Sequence, residues 1–282
     1  MESTLSFQVN PARCNHCGRC AADCLPRIIE LPEDGLPFIR PEQEALCIDC
    51  QHCLAVCPDG AISIRGLDPA ASLPLAEGGL PSFEQMDLLV RGRRSVRKYR
   101  DQNVDRALIR RLLDTLEHAP TGVNSRRLRF TVIQDKAVLA ELRARVMGAL
   151  TAALESGRMQ DGNGYLANLV GRWRDQGIDV VFRGAPHLLL VSAPADSPTP
   201  HQDVPLTLAY FELLAQSTGL GTVWLGLLKR ALEVLPELKP LLGLGADEVY
   251  YPMLFGLPAV RYRRTVQRSG STRVQVLEAL PA

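Results

Sequence analysis

The amino-acid sequence predicts a two-part chain in which a small cysteine-rich module precedes a larger domain of mixed helices and strands. Three observations support this prediction. All eight cysteines lie between Cys14 and Cys57, a stretch rich in Pro, Gly and Ala follows them, and helical and strand patterns alternate from Met86 onward. Such alternation is typical of an α+β or an α/β domain, and periodicity alone does not choose between the two.

We expect three segments in the 282-residue chain: a cysteine module at 1–66, a linker at 67–85 and a larger domain at 86–282. A hydrophobic fraction of 46% is ample for a sizeable core. The net charge of +1 and the charged fraction of 22% argue against a nucleic-acid partner.

We also expect no membrane span and no signal peptide. No run approaches the roughly 18–20 apolar residues that a transmembrane helix needs. The opening residues "MESTLSFQVNPARC" have no basic region followed by an apolar one. These features predict a cytoplasmic location, where thiols stay reduced and clustered cysteines tend to bind metal.

The elements of the larger domain follow from local patterns. Asp105 can cap a helix whose apolar face runs from Leu108 to Leu116 and which ends before Pro120. Residues 156–180 hold many Gly and polar residues, which suggests a mobile excursion. The remaining stretches read in order as strand, helix, strand, helix, strand and strand: "LRFTVIQ", "KAVLAELRARVMGAL", "APHLLLVSAP", "DVPLTLAYFELLAQSTGLG", "GTVWLG" and "VYYPMLFG". Within the module, "AISIRG" alternates like a short strand.

The cysteines form two sets with the same spacing, C-x2-C-x2-C-x3-C, in "CNHCGRCAADC" and "CIDCQHCLAVCP". In bacterial two-cluster ferredoxins, three cysteines of one run bind one [4Fe–4S] cluster and the fourth binds the other cluster. By that rule one cluster is held by Cys14, Cys17, Cys20 and Cys57, and the other by Cys47, Cys50, Cys53 and Cys24.

Zinc and disulfides are the alternatives for these cysteines. Zinc-binding chains usually present paired C-x2-C elements, and a triplet with a fourth cysteine three residues later does not suit a tetrahedral ion. Disulfides conflict with the expected reducing compartment. His16 and His52 lie inside the loops, but eight cysteines already supply every ligand that two clusters need.

With this pattern, residues 5–65 resemble a bacterial two-cluster ferredoxin. The resemblance implies transfer of one electron at a time at low potential. Since neither cluster has a spare ligand position, substrate chemistry at the irons is not expected, and the module reads as an electron relay.

Four stretches of the larger domain carry a second resemblance. They are "RGRRSVRKYRDQNV", "EHAPTGVNSRRLRF", "GLGTVWLGLL" and "FGLPAVRYRRTVQR". Alone, the first could be a solvated helix face, a nucleic-acid patch or an anion site, and the third a helix end followed by a core strand. In this order and spacing they resemble the flavin-dependent nitroreductase family over about residues 86–268. The resemblance implies an α+β fold and an obligate homodimer with FMN at the subunit interface.

The resemblance also implies a role for individual residues. Arg93 and Ser95 are expected at the FMN phosphate and ribityl chain with Arg94 beside them, and Arg97 near N1 and O2 of the ring. A cation at that position stabilises the negative charge of reduced flavin. Asn124 is expected at the ring edge.

The remaining expected contacts lie later in the chain. The backbone N–H groups of Gly226 and Leu227 are expected to face N5 and O4, where glycine permits close approach. Arg261 and Arg264 are the phosphate-clamp candidates, because the planar guanidinium matches phosphate geometry. Arg263 and Arg268 are interpreted as surface charges, and Trp224 as core packing or a shelf for the flavin.

Two features leave the substrate open. After Asn124-Ser125 the family pattern has Gln and often Pro and Trp, whereas this chain has Arg126, Arg127 and Leu128. Tyr165 and Trp173, in the expected excursion, could line a lid over the flavin or pack in the core.

Together these patterns predict an oxidoreductase that passes electrons from two [4Fe–4S] clusters to FMN and on to a small organic acceptor such as a nitro compound or a quinone. Reduced ferredoxin or NAD(P)H is the expected donor, and no catalytic acid–base residue is predicted. Two alternatives stay open: an electron-transfer adaptor that serves a partner protein, and a zinc-stabilised binding module with a degenerate flavin fold.

Overall fold

The computed structural model describes residues 5–75, 78–159, 164–268, 270 and 272–280. The chain divides into two compact units. The first comprises Met1–Pro81 together with Thr121–Arg126, and the second comprises Ser82–Pro120 together with Arg127–Ala282. The short segment Thr121–Arg126 therefore groups with the cysteine-rich unit, although it lies within the domain expected at 86–282.

The first unit is built from very short elements. Its four strands pair antiparallel, β1 with β4 and β2 with β3. The strands are β1 (Gln8–Val9), β2 (Ile29–Glu30), β3 (Phe38–Ile39) and β4 (Ile62–Ser63). The helices are α1 (Arg19–Ala22), α2 (His52–Val56) and 3₁₀ turns at Pro41–Leu46, Pro69–Ala71 and Gly122–Asn124. The small core of this unit contains two of the cysteines, Cys20 and Cys53, together with five apolar residues: Leu5, Ile29, Leu54, Ile62 and Ile64.

The second unit is organised around a four-stranded antiparallel sheet with the strand order β5-β6-β8-β7. The strands are β5 (Arg129–Ile133), β6 (His187–Pro194), β7 (Gly221–Trp224) and β8 (Glu248–Gly256). The helices are α3 (Phe83–Gly92), α4 (Arg106–Leu116), α5 (Lys136–Glu155), α6 (Gly164–Gln176), α7 (Pro200–Ser217) and α8 (Gly226–Val234), followed by a 3₁₀ helix at Pro236–Leu242.

Helices cover both faces of this sheet. Along β6, Leu188 and Leu190 join one apolar cluster with α5, α6 and α8, whereas Leu189 and Val191 join a second cluster with α4 and α7. Successive side chains of a strand point to opposite faces, so a strand buried on both faces reads as a continuous apolar run. The mixed helix and strand architecture confirms the predicted α+β fold class.

Local capping explains where the predicted helices begin. The carboxylate of Asp105 accepts a hydrogen bond from the Ala107 backbone N–H at 3.0 Å and starts α4 as predicted. Asp135 does the same for α5 through Ala137, at 2.8 Å. Each cap satisfies one of the backbone donors that a helix start leaves unpaired.

The expected excursion at 156–180 is corrected in its described part, where Gly164–Gln176 form helix α6, and residues 160–163 lie outside the described residues. Its buried residues Leu166, Leu169 and Val170 follow helical spacing, but the surrounding Gly and polar residues conceal that pattern. Trp173 is partly buried against the core, whereas Tyr165 is 71% exposed. Two further helices were not predicted: α8, and α3, which lies partly in the expected linker although Ser82 and Gln85 form a capping box at its start.

None of the helices in the described part of the chain combines the length and the apolarity needed to cross a bilayer.

Candidate cluster and flavin sites

Two cavities in the first unit are each lined by four cysteines. One is lined by Cys14, Cys17, Cys20 and Cys57, and the other by Cys24, Cys47, Cys50 and Cys53. The fold thus brings together both predicted ligand sets, including the exchange of the fourth cysteine between the two runs. Each cavity thus offers a complete set of four thiol ligands.

The two cysteine loops repeat the same backbone turns. His16 and Asp49, each two residues after the first cysteine of its set, have φ values of 57° and 52°. Gly18 and Gln51, each directly after the second cysteine, have φ values of 68° and 59° and cap α1 and α2. These left-handed residues curl each loop tightly. The curl lets three thiols of a short loop face one cavity.

The buried thiols fit metal-bound thiolates. Burial raises the pKa of Cys20 and Cys47, and it raises the pKa of Cys53 to about 12. A thiolate at these positions therefore needs nearby positive charge, which cluster irons supply. The residues present fit two iron–sulfur clusters.

The two histidines of the loops are engaged elsewhere. His16 Nδ1 lies 3.1 Å from the Gly35 carbonyl oxygen, and His52 Nδ1 lies 3.1 Å from the Asp23 carboxylate. These contacts agree with an all-cysteine ligand set for both clusters.

In the second unit, the segment that carries the predicted arginines lies beside strand β7. The Val96 backbone N–H donates to the Thr222 carbonyl at 2.8 Å. Ser95 and Thr222 form an isolated parallel β-bridge. A Cβ on Gly221 would lie 2.4 Å from the Val96 side chain, so only glycine allows this approach. The first basic motif is therefore fixed to the sheet edge.

A buried carboxylate adds a second attachment. Glu212 on α7, with 9% of its side chain exposed, accepts hydrogen bonds from Arg93 Nη1 at 3.1 Å, Thr222 Oγ1 at 3.2 Å and Trp224 Nε1 at 3.2 Å. A buried carboxylate is tolerated when a cation and further donors satisfy it. Sequence reasoning missed this residue. Its signal was an acidic residue directly between the apolar residues Phe211 and Leu213 of α7.

The first residues of α8 present backbone donors. Gly226 and Leu227 open the helix after the N-cap residue Leu225. The first N–H groups of a helix have no carbonyl one turn earlier to bond, so they are available to acceptor atoms of a ligand. A Cβ on Gly226 would lie 3.0 Å from the Tyr251 hydroxyl, so the position favours glycine. These two backbone N–H donors suit the acceptor atoms at the edge of a flavin ring.

A basic cavity of about 800 Å³ lies in the second unit, within the range of roughly 300–1,000 Å³ typical of small-molecule sites. Apolar residues of α3, including Leu88 and Leu89, form part of its wall. Five arginines line it: Arg94, Arg100, Arg261, Arg263 and Arg264. Three of them were predicted FMN contacts, whereas Arg263 was interpreted as a surface charge. The arginine content suits a phosphate group.

The predicted flavin contacts therefore fall into separate groups. Arg94, Arg261 and Arg264 share the basic cavity. Arg94 and Val96 line that cavity, and Ser95 and Arg97, which alternate with them along the extended segment, do not. Arg97 Nη1 donates to the Ser95 carbonyl at 3.4 Å. Asn124 belongs to the first unit, where its side-chain amide donates to the Ile48 carbonyl at 2.9 Å.

Comparison with known proteins identifies both parts of the chain. Residues 90–257, more than half of the chain, match the model of the nitroreductase family. The chain belongs to the nitroreductase family. Residues 13–62 match the model of the 4Fe-4S dicluster domain. The predicted fusion of a two-cluster ferredoxin domain to a nitroreductase-family domain is confirmed.

Solved structures show the same fold for the nitroreductase-family part. A nitroreductase with bound FMN from Bacteroides fragilis NCTC 9343 aligns with a TM-score of 0.53 and 20% identity, over 67% of this chain and 97% of that chain. A nitroreductase with bound FMN from Desulfitobacterium hafniense DCB-2 aligns with a TM-score of 0.51 and 21% identity, over 66% and 96%.

A curated relative, Hydrogenase-4 component A of Escherichia coli (strain K12), is 36% identical over 81 residues. The match covers 27% of this chain and 38% of that protein, so the chain spans well under half of the relative's length.

The two family matches settle the class of protein. The nitroreductase-family match confirms the predicted nitroreductase-like oxidoreductase. The dicluster match confirms the prediction of two [4Fe–4S] clusters as further cofactors.

Proposed function

We propose that this enzyme passes electrons from an external low-potential donor through its two clusters to FMN and on to a small organic acceptor, such as a nitro compound or a quinone. One observation carries the proposal: two complete four-cysteine cavities lie in a chain whose larger part belongs to the nitroreductase family. All eight cysteines line these cavities, so the irons keep no ligand position for a substrate.

FMN, when bound, exchanges electrons singly or in pairs, which joins one-electron clusters to a two-electron acceptor. In our proposal the guanidinium of Arg97 stabilises negative charge near N1 and O2. The backbone N–H groups of Gly226 and Leu227 donate to N5 and O4. The Glu212–Arg93 ion pair at 3.1 Å supports this reading, because it anchors the segment carrying Ser95 and Arg97.

The phosphate is assigned to the arginines. Arg261 and Arg264 share a basic cavity with Arg94, and the planar guanidinium can bind phosphate oxygens in pairs. Ser95 is the proposed ribityl contact, whereas Arg93, whose guanidinium bonds to Glu212, holds the segment instead of the phosphate. No side chain needs to act as a nucleophile, and protons can come from water.

We further propose that the enzyme is a homodimer and works in the cytoplasm, where its cysteines stay reduced until the clusters assemble. Reduced ferredoxin is the preferred donor in this account, because the two cluster cavities form a complete electron entrance. The substrate pocket would then need no site for NAD(P)H.

The test uses protein purified without oxygen. Iron and FMN content are measured first, with about eight irons and one FMN per chain expected from two [4Fe–4S] clusters and one flavin. Reduced ferredoxin, NADH or NADPH is then added while the flavin absorbance is followed. We expect bleaching by reduced ferredoxin and reoxidation of the bleached protein by a nitroaromatic compound or a quinone.

Two results would count against the proposal. Zinc in place of iron would remove the electron relay. A bleached protein that neither a nitroaromatic compound nor a quinone reoxidises would instead favour an adaptor that serves a partner protein.

A further inference from the structure

The two cysteine loops differ in charge at one matched position. Two residues after the first cysteine of each set, the first loop has His16 and the second has Asp49, and the backbone is left-handed at both. The same backbone turn thus carries an imidazole in one loop and a carboxylate in the other. Four cysteines line each cavity: Cys14, Cys17, Cys20 and Cys57 the first cavity, and Cys24, Cys47, Cys50 and Cys53 the second cavity.

The Asp49 carboxylate lies against a ligand of the second cavity. Its Oδ1 is 3.8 Å from the Cys47 Sγ. Arg65 Nε donates to the same oxygen at 2.5 Å and so holds it beside the sulfur. A cysteine bound to a cluster is a thiolate and has no proton to share with a carboxylate. In the loaded protein this contact therefore sets one negative group beside another.

The first cavity has the opposite kind of contact. The backbone N–H of Ala61 donates to the Cys57 Sγ at 3.2 Å. At the position that matches Asp49, His16 Nδ1 lies 3.1 Å from the Gly35 carbonyl oxygen. A hydrogen bond to a cluster sulfur stabilises the extra negative charge of the reduced cluster. One sulfur of the first cavity thus has a donor, whereas one sulfur of the second has a carboxylate.

Solvent exposure favours the same order of the two cavities. Each contains one deeply buried cysteine, Cys20 at 6% and Cys53 at 7% exposed. The first cavity also has an exposed cysteine, Cys17, whereas the other ligands of the second are half-buried. Water at a ligand stabilises added negative charge. Exposure therefore does not offset the difference in contacts.

The other carboxylates beside ligands are matched between the cavities. Asp23 directly precedes a ligand of the second cavity, and its carboxylate lies 3.1 Å from His52 Nδ1. Asp59 follows a ligand of the first cavity by two residues, and it accepts a hydrogen bond from the Asn15 amide at 2.7 Å. Each cavity thus has one such carboxylate held by a nearby side chain, so Asp49 accounts for the difference.

We propose that Asp49 lowers the reduction potential of the cluster held in the second cavity, so that the cluster of the first cavity has the higher potential. Reduction adds one negative charge to a cluster, which a nearby carboxylate opposes and an N–H donor favours. The first electron that the module accepts then resides in the first cavity. The external donor loses that electron, and no bond changes. This inference rests on the proposed function, since it concerns the order in which the relay is filled.

The test is an anaerobic redox titration of the full-length holoprotein, with the EPR signals of the reduced clusters as the readout. Cys17→Ser and Cys50→Ser each alter one ligand and so assign the two signals. Asp49→Asn removes the charge and keeps a residue that tolerates a left-handed backbone. Glu33→Gln is the matched control, because it removes one negative charge from an exposed turn of the same unit.

In the wild type we expect the higher midpoint potential for the cluster of the first cavity. Asp49→Asn should raise the midpoint potential of the second cluster and leave that of the first unchanged. The Arg65 cation, no longer offset by this carboxylate, acts in the same direction. Glu33→Gln should change neither potential.

A reciprocal variant tests the inference independently, and it replaces Asp49→Asn if that variant does not retain its irons. His16→Asp places a carboxylate at the matching position of the first loop, where aspartate also tolerates the left-handed backbone. We expect it to lower the midpoint potential of the first cluster and to leave that of the second unchanged.

Two results would overturn the inference: a higher potential for the second cluster in the wild type, or unchanged potentials in the Asp49 and His16 variants. Either result, in a wild-type protein with about eight irons and a reducible flavin, leaves the proposed function standing. A wild-type protein without iron would instead overturn the proposed function, so the two failures are distinguishable.

Discussion

The two units of this molecule obtain their stability from different sources. The first is built on strands of two residues each, and its small core includes two of the cysteines, Cys20 and Cys53. The second has a sheet with strands of up to nine residues and two apolar clusters, one on each face. A unit with so little apolar core depends on bound metal, whereas the other is stabilised by burial. The fusion therefore joins a metal-dependent fold to a metal-independent one.

Iron removal should produce the largest effect. Treating the whole protein with an iron chelator under reducing conditions should unfold the first unit, because cluster binding supplies its folding free energy. The second unit should keep its structure. Hydrogen exchange followed by mass spectrometry checks both statements, with fast exchange expected in the cysteine loops and continued protection in strands β6 and β8. Equal loss of protection in both units would break the comparison.

A core truncation should act on the other unit alone. Leu150 on α5 is fully buried, and Leu150→Ala should lower the free energy of unfolding of the second unit by about 2–5 kcal/mol. Val138→Ala is a matched control on the same helix, since Val138 is 52% exposed. Denaturant unfolding measures the change, and iron content should stay at the wild-type value. Loss of iron in Leu150→Ala would show that the units are not independently stabilised.

Acid should weaken the second unit through a buried histidine. The Nε2 of His187 accepts a hydrogen bond from the Val104 backbone N–H at 2.8 Å, and the ring stacks on Phe255 at 5.0 Å. Burial lowers the pKa of His187 below its ordinary value of about 6.5. The unfolded chain therefore binds the proton more readily than the folded one.

The sign of the pH effect follows directly. Above about pH 6.5 neutral His187 makes its full contribution to the free energy of unfolding. As the pH falls from there toward the lower pKa of folded His187, that free energy decreases by up to about 1.4 kcal/mol per pH unit. His187→Gln retains an acceptor but does not titrate. Urea unfolding between pH 7.5 and 5.5 should give a steeper acid loss for wild type than for this variant, and parallel curves would contradict the assignment.

The smallest effect is expected at a helix cap. Asp105→Ala removes the acceptor for the Ala107 N–H and should cost the second unit about 0.5–2 kcal/mol. Asp105→Asn keeps a capping oxygen and should recover most of that loss. Thermal unfolding compares the two variants, and equal destabilisation by both would show that charge, not capping, is the cause.

The sequence predicted the features that depend on local spacing. The cysteine runs, the cap at Asp105 and the strand and helix patterns of the sheet all lie within short windows, and the fold agrees with them. Contacts between distant residues carried no such signal. Asn124 and Ile48 are 76 positions apart, and Glu212 is one of several polar residues of α7, so nothing in the sequence marks it as the partner of Arg93.

Helix α6 was missed for a different reason. Its buried residues Leu166, Leu169 and Val170 have helical spacing, but they stand among glycines and polar residues that favour a loop. Packing against α5 stabilises it where propensity does not. We predicted one continuous domain at 86–282, but Thr121–Arg126 groups with the first unit. That grouping depends on tertiary contacts, which local sequence patterns do not show.

The central claim is that electrons reach the flavin through the clusters, and stopped-flow reduction by reduced ferredoxin tests it most directly. Wild type is compared with a Cys20→Ser/Cys53→Ser double variant that still binds FMN, and the flavin absorbance is followed without oxygen. Our account predicts rapid bleaching in wild type and loss of bleaching in the double variant. Equal bleaching in both proteins, or faster bleaching of wild type by NADH or NADPH than by ferredoxin, would contradict it.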